Sequence, residues 1–226
     1  NYDGKFYGNV SVEFALANSL NIPAVRLLNM LGVNTFISYL NKANFRQISK
    51  DEKKMGLSVI LGGCGTSLEE LTSFYCCFAN TGLFKPFSFI KTDSVKKSER
   101  LLSDCSVYMT TEILTQLTRP DLPTSWENGV HIPKIAWKTG TSYGRRDAWS
   151  IGYNKKFTIG VWVGNFSGES VPELMGATIA APLLFSVFNA IDYNSPEKWF
   201  AMPDSLGVRY VCQESGLIPD RNCTNT

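Results

Sequence analysis

Two textures divide this chain. Up to about position 120 apolar residues recur at helical spacing, and beyond it they alternate with small or polar ones over short runs. Ser11 can cap a helix over 12–18, and Pro23 suits the first position of another that runs from Ala24 to its stop at Gly32. Asn34 can cap a third helix through Lys42, where Phe36, Ile37 and Leu40 make one apolar stripe. Ser67-Leu68-Glu69-Glu70 is a capping-box pattern opening an apolar helix that Gly82 ends. A last early helix spans 104–117 and stops before Pro120.

The second texture predicts strands over 134–141, 147–153 and 157–164, the last two joined by the turn-like Asn154-Lys155-Lys156. Large Trp149, Ile151 and Tyr153 alternate with small Ala148, Ser150 and Gly152, as in a half-buried antiparallel hairpin. A helix over 177–190 would cover that sheet. The expected class is α+β, with a domain over 1–200 whose helical part is 1–120 and whose sheet part is 130–192. Residues 201–226 read as an irregular tail or linker.

Composition narrows the possible functions. At 226 residues, 44% hydrophobic and 19% charged, the chain can bury a sizeable core. A net charge of +2 without a basic, aromatic-laced cluster gives no case for nucleic acid. The uncharged stretch 174–191 is near membrane-span length, but Gly176, Thr178, Pro182, Ser186 and Asn189 suit a packed core helix better. Six cysteines, one His and no Cys-x-x-Cys argue against a Cys/His metal site. Cys64, Cys76, Cys77 and Cys105 read as small buried hydrophobes. Cys212 and Cys223 bracket the turn-rich 213–220 segment, as a disulfide closing a short loop would, which would imply an oxidising compartment.

Chemistry concentrates in two short motifs. Ser19-Leu20-Asn21 alone is a weak signal, since a polar turn between helices explains it better. Lys138-Thr139-Gly140-Thr141 has more fixed positions, although an edge-strand lysine with a glycine bulge would also produce it. Together, in this order and setting, they outline an acyl-transfer groove on a sheet edge. Gly140 clears space for a peptide-like ligand along the strand. Lys138 raises the local potential, the Thr141 hydroxyl can bind a carboxylate, and its N–H can help hold an oxyanion. Ser19 can relay protons, and the Asn21 amide both donates and accepts.

These motifs match two of the three signatures of penicillin-interacting serine enzymes. The surrounding text, 15–25, 61–63, 71–82, Lys138 to Gly144 with Arg146 to Trp149, and 160–164, resembles bifunctional class A penicillin-binding proteins, most of all their 1C type. The segment from Cys212 to Cys223 resembles the stretch that follows the transpeptidase domain in that type. The resemblance implies the transpeptidase and serine β-lactamase-like fold, a D,D-transpeptidase acting on peptidoglycan stem peptides, and acylation by β-lactam antibiotics. It assigns Ser19 and Asn21 to the second motif and Lys138, Thr139, Gly140 and Thr141 to the third. It implies no cofactor, a periplasmic or extracytoplasmic location, and a membrane-anchored parent with an upstream glycosyltransferase domain.

One departure matters. The family nucleophile lies in a Ser-x-x-Lys that precedes the other motifs, and the matches here, Ser94-Val95-Lys96-Lys97 and Ser195-Pro196-Glu197-Lys198, follow Ser19 and open no apolar helix. Both read as decoys. The nucleophile is expected upstream of Asn1, so the chain alone should be inactive, expose surface that the missing helix covers, and self-associate. Rival readings are a degenerate β-lactam or peptidoglycan-binding sensor module, and a D,D-carboxypeptidase or β-lactamase of the same fold.

Overall fold

The computed structural model describes residues 1, 4–90, 97–117, 119, 132–193, 198–212, 216–219 and 223. Helix α1 (Val12–Ala17) is capped by Ser11, whose hydroxyl accepts from Phe14 N–H at 3.0 Å. Helix α2 (Asn21–Leu31) begins at Asn21, earlier than the position of Pro23 suggested. Pro23 costs nothing there, because the first turn of a helix leaves its N–H groups unpaired anyway. Helix α3 (Val33–Lys42) starts directly after Gly32, so Asn34 lies inside its first turn and is not its cap. A single residue at φ 89, Gly32, turns the chain from one helix into the next.

The helical part buries Ile37, Leu40, Phe45, Ile48 and Cys77 around a common core. Phe45 and Ile48 come from the entry to α4 (Arg46–Asp51) and from α4 itself, and Cys77 from α5 (Leu68–Ala79). The capping box is present: Ser67 Oγ accepts from Glu70 N–H and the Glu70 carboxylate accepts from Ser67 N–H, both at 3.1 Å. Helix α5 ends at Ala79, short of Gly82, which leads into the two-residue ladder of β1 (Leu83–Phe84) and β2 (Glu99–Arg100). Helix α6 (Asp104–Thr115) is likewise shorter than expected at its C-terminal end.

Glu70 does more than cap. Its carboxylate also accepts from Arg46 Nε at 2.8 Å, Arg46 N–H at 3.1 Å and Thr66 Oγ1 at 3.2 Å. Burial by itself would raise its pKa, but the Arg46 guanidinium and the other donors together outweigh that and hold it at about 2. The stabilisation from these contacts is present above 4.5, the ordinary value, and lost as pH falls toward 2. Melting temperature measured from pH 5 to 2 should therefore fall more steeply in the parent than in Glu70→Gln; parallel curves would refute this account.

The sheet consists of β3 (Ala136–Thr141), β4 (Asp147–Tyr153) and β5 (Thr158–Gly164), antiparallel in the order β3-β4-β5. Its register pairs Lys138 with Ile151 and Gly140 with Trp149, and Trp149 in turn with Trp162. The expected half-burial is corrected: Ala148, Ser150 and Gly152 are buried as well as Ile151 and Tyr153. The small residues do not face water: Gly152 lies against Leu184 and Phe188 of α7 (Ala181–Asp192), and Ala148 packs with Leu174 and Ala180 just before it. Trp137 and Ile135 meet Ala181, Leu184, Phe185 and Phe188 on that face. On the other face Tyr153 shares a 2.8 Å hydrogen bond with Thr111 of α6 and packs near Tyr75 and Phe78 of α5.

One turn of π-helix (Gly176–Ala180) precedes α7, and none of the helices among the described residues is long and apolar enough to cross a membrane. Within the stretch 174–191, Ala180, Ala181, Leu184, Phe185 and Phe188 are fully buried, so it is core. The chain then returns to α6, where Trp199 Nε1 donates to Glu112 at 2.7 Å and Phe200 packs on Tyr153. Ser205 Oγ lies 3.1 Å from Cys105 Sγ. Of the four cysteines expected in the core only Cys77 is buried; Cys64, Cys76 and Cys105 are half-buried. Among the described residues no three His, Cys, Asp or Glu side chains converge as a metal site would require.

Candidate active site

Two distant segments meet at the start of β3. The Lys138 ammonium donates a hydrogen bond to Ser19 Oγ, across 119 positions of sequence, and another to the Thr139 carbonyl at 3.2 Å. Burial pushes the Lys138 pKa below its ordinary value. Ser19 sits between α1 and α2 at φ 54, a left-handed conformation that costs a non-glycine residue about 1 kcal/mol. Bonds from Ser19 N–H to Leu16 O at 3.2 Å and from Leu20 N–H to Ala15 O at 2.9 Å hold the turn. The strained turn leaves Ser19 exposed. Asn21 follows, half-buried in the first turn of α2 and not in the break between helices.

Strand β3 pairs with β4 on one side only among the described residues. Ser142 N–H donates to Asp147 O at 3.0 Å. Antiparallel ladders alternate bonded and non-bonded pairs, so Gly140 with Trp149 and Lys138 with Ile151 share the bonds to β4. Thr139 and Thr141 fall between them, with N–H and C=O turned to the open edge. That is the arrangement a strand-like ligand needs for main-chain pairing, and it leaves Thr141 N–H free to meet a developing oxyanion.

Side chains alternate across the same strand. Lys138 lies on one face with Gly140, Trp149 and Trp162, whose ring centroids are 6.4 Å apart for the tryptophan pair. Trp162 Nε1 is held by Asp147 Oδ1 at 2.9 Å. Thr139 and Thr141 project to the opposite face, where the Thr141 hydroxyl accepts from Gly176 N–H at 3.0 Å. Thr141 is nonetheless exposed, so its own proton has access to a ligand at the edge.

The structure thus joins Ser19 to Lys138 and aligns Thr139, Gly140 and Thr141 along one free edge. Sequence reasoning missed Gly176, which carries no motif, and gave Trp149 and Trp162 no site role. Their signal was visible only as the alternation that puts both on the face of Lys138. Ser94-Val95-Lys96 and Ser195-Pro196-Glu197 of the two decoys lie outside the described residues, as do 213–215 and 220 of the cysteine-bracketed loop. Around that loop Cys212 N–H donates to Leu217 O, and Gly216 N–H to Cys212 O, both at 2.8 Å.

A family model described as the penicillin binding protein transpeptidase domain matches residues 1–183. Penicillin-binding protein 1C of Escherichia coli (strain K12) is 34% identical over 232 residues, covering 99% of this chain and 29% of that protein. Penicillin-binding protein 1A of Aquifex aeolicus (strain VF5) is 29% identical over 235 residues, covering 99% of this chain and 31% of that protein. The chain therefore spans less than a third of the length of these relatives. A crystal structure of penicillin-binding protein 1A from Haemophilus influenzae superposes with a TM-score of 0.80 at 18% identity, over 99% of this chain and 40% of the other. At that identity the likeness concerns the fold.

Proposed function

Because the chain belongs to the transpeptidase-domain family of penicillin-binding proteins, we propose that it is the larger, C-terminal part of a peptidoglycan D,D-transpeptidase domain that also binds β-lactams. The observation that carries the reading is the hydrogen bond from Lys138 to Ser19, which brings the two motifs into one site. In this proposal a serine from a Ser-x-x-Lys upstream of Asn1 attacks the penultimate D-Ala carbonyl of a stem peptide. The peptide bond breaks, the D-Ala amine leaves with a proton relayed through Ser19, and an amine of a second strand then takes the acyl group.

Each residue has a stated part. Lys138 supplies positive potential and orients Ser19. Thr139 and Thr141 offer main-chain groups along the open edge, and Thr141 N–H supports the oxyanion. Asn21 holds the substrate backbone, and Gly140 keeps the strand face clear. Leu27, Met30 and Leu31, exposed on α2, support the reading that further chain packs on that helix. The parent would be membrane-anchored and face the periplasm, with Cys212 and Cys223 joined as a disulfide suited to that compartment.

Intact-mass measurement tests the proposal. The 226-residue chain and a version extended upstream by about a hundred residues, a span set by typical domain size, would each be treated with a penicillin. An adduct on the longer chain alone, at an upstream Ser-x-x-Lys serine, is the expected result. An adduct on the shorter chain would mean that a nucleophile lies within it, with the Ser-x-x-Lys serines Ser94 and Ser195 the first to map, and no adduct on either would favour a binding module without turnover. The same spectra without reductant should show a mass two hydrogens lower for Cys212 joined to Cys223.

A further inference from the structure

Thr141 is fastened from behind. Its Oγ1 accepts from Gly176 N–H at 3.0 Å, although the two residues are 35 apart in sequence. A hydroxyl has one proton and two acceptor lone pairs. With a lone pair facing Gly176, the proton must point elsewhere, and Thr141 is exposed on a strand that pairs with β4 alone among the described residues.

The close approach depends on residue 176 having no side chain. A Cβ there would lie 2.5 Å from the Gly140 carbonyl oxygen, 2.7 Å from that of Trp149 and 3.0 Å from Thr139 Cβ. Two backbone oxygens cannot move aside as a flexible side chain can. The segment leading to Gly176 is pinned as well: Val171 N–H donates to Arg145 O at 3.0 Å, and the Arg145 guanidinium donates to the Pro172 carbonyl. The amide is therefore held against both β3 and β4, independently of any ligand.

We propose that the main-chain amide of Gly176 is a positioning group that commits the Thr141 hydroxyl to donate into the groove, so that the site favours ligands presenting a carboxylate there. The inference rests on the transpeptidase reading above. Gly176 touches no reacting atom in this scheme; it acts through Thr141. A hydroxyl already accepting one bond is a better donor for the next, and a carboxylate oxygen is the acceptor that gains most. An esterified ligand loses that charge and gains less.

The test is a double-mutant cycle in the full-length protein. Semisynthesis replaces Gly176 by glycolate, which deletes its N–H and adds no side chain, with and without Thr141→Val. The readout is the acylation rate by benzylpenicillin divided by that by its methyl ester. Loss of the 176 N–H should lower this ratio about threefold to tenfold, the range of one net hydrogen bond, and should have no further effect once Thr141 is Val. An unchanged ratio, or an equal drop in the Thr141→Val background, overturns the inference and leaves the transpeptidase reading standing. No acylation of the unmodified full-length protein by either compound overturns that reading, and the inference with it. Hydrogen exchange at residue 176 gives a second check that needs no semisynthesis: it should quicken in Thr141→Val and return in Thr141→Ser. Exchange indifferent to both substitutions counts against the bond itself.

Discussion

Replacing Lys138 by alanine in the full-length protein is expected to slow penicillin acylation by about 10²- to 10⁴-fold, the usual contribution of a positioned proton-transfer group. The substitution removes the donor to Ser19 Oγ and to the Thr139 carbonyl together with the positive charge of the groove. Lys138→Arg should not restore the rate, because a planar guanidinium is longer and cannot place a single donor on the same oxygen. The pH profile carries the same signature. It is the charged ammonium that donates, and burial lowers its pKa below the ordinary 10.5. Acylation should therefore be retained at lower pH and fall as pH rises through that depressed value. A Lys138→Ala protein that acylates at the parental rate would remove Lys138 from the site.

The largest effect on stability is expected at Phe185. Its side chain is fully buried, meets the Trp137 ring edge-on with centroids 4.9 Å apart, and lies 4.2 Å beneath the Arg119 guanidinium. Phe185→Ala should cost about 3–5 kcal/mol, from lost transfer free energy and from the cavity left behind. That cavity would open under Trp137, the residue before Lys138, so loosening there reaches the site through β3 itself. Chemical denaturation of the parent and the variant measures the loss. A change within about 0.5 kcal/mol would be an ordinary surface value and would contradict the packing described for α7.

Some of this architecture was readable along the chain. The cap at Ser11, the box formed by Ser67 and Glu70, and the bounds of β4 depend on residues within a few positions of one another. Such signals survive in a linear text because the interacting groups are neighbours in it. Other local signals are ambiguous and misplace an element's bounds. Pro23 suits several positions of a first turn and so sets the start of α2 too late, and Asn34 suits a cap although Gly32 joins α2 to α3 without a gap. The alternation in β4 suggested one wet face; instead α7 fills it, which only the return of the chain after β5 could reveal.

The same division runs through the site. Residue types at Ser19, Asn21 and Lys138 to Thr141, taken together and in this order, were enough to propose an acyl-transfer groove, because a lysine, a clear strand edge and hydroxyls are needed whatever the surroundings. The α+β class followed from hydrophobic period alone. That Lys138 bonds to Ser19, that burial depresses its pKa, and that Gly176 holds Thr141 from behind were decided by tertiary structure. The reason is physical: hydrogen-bond geometry and desolvation are properties of groups brought together in space, and segments 119 and 35 positions apart share no local signal that they will meet.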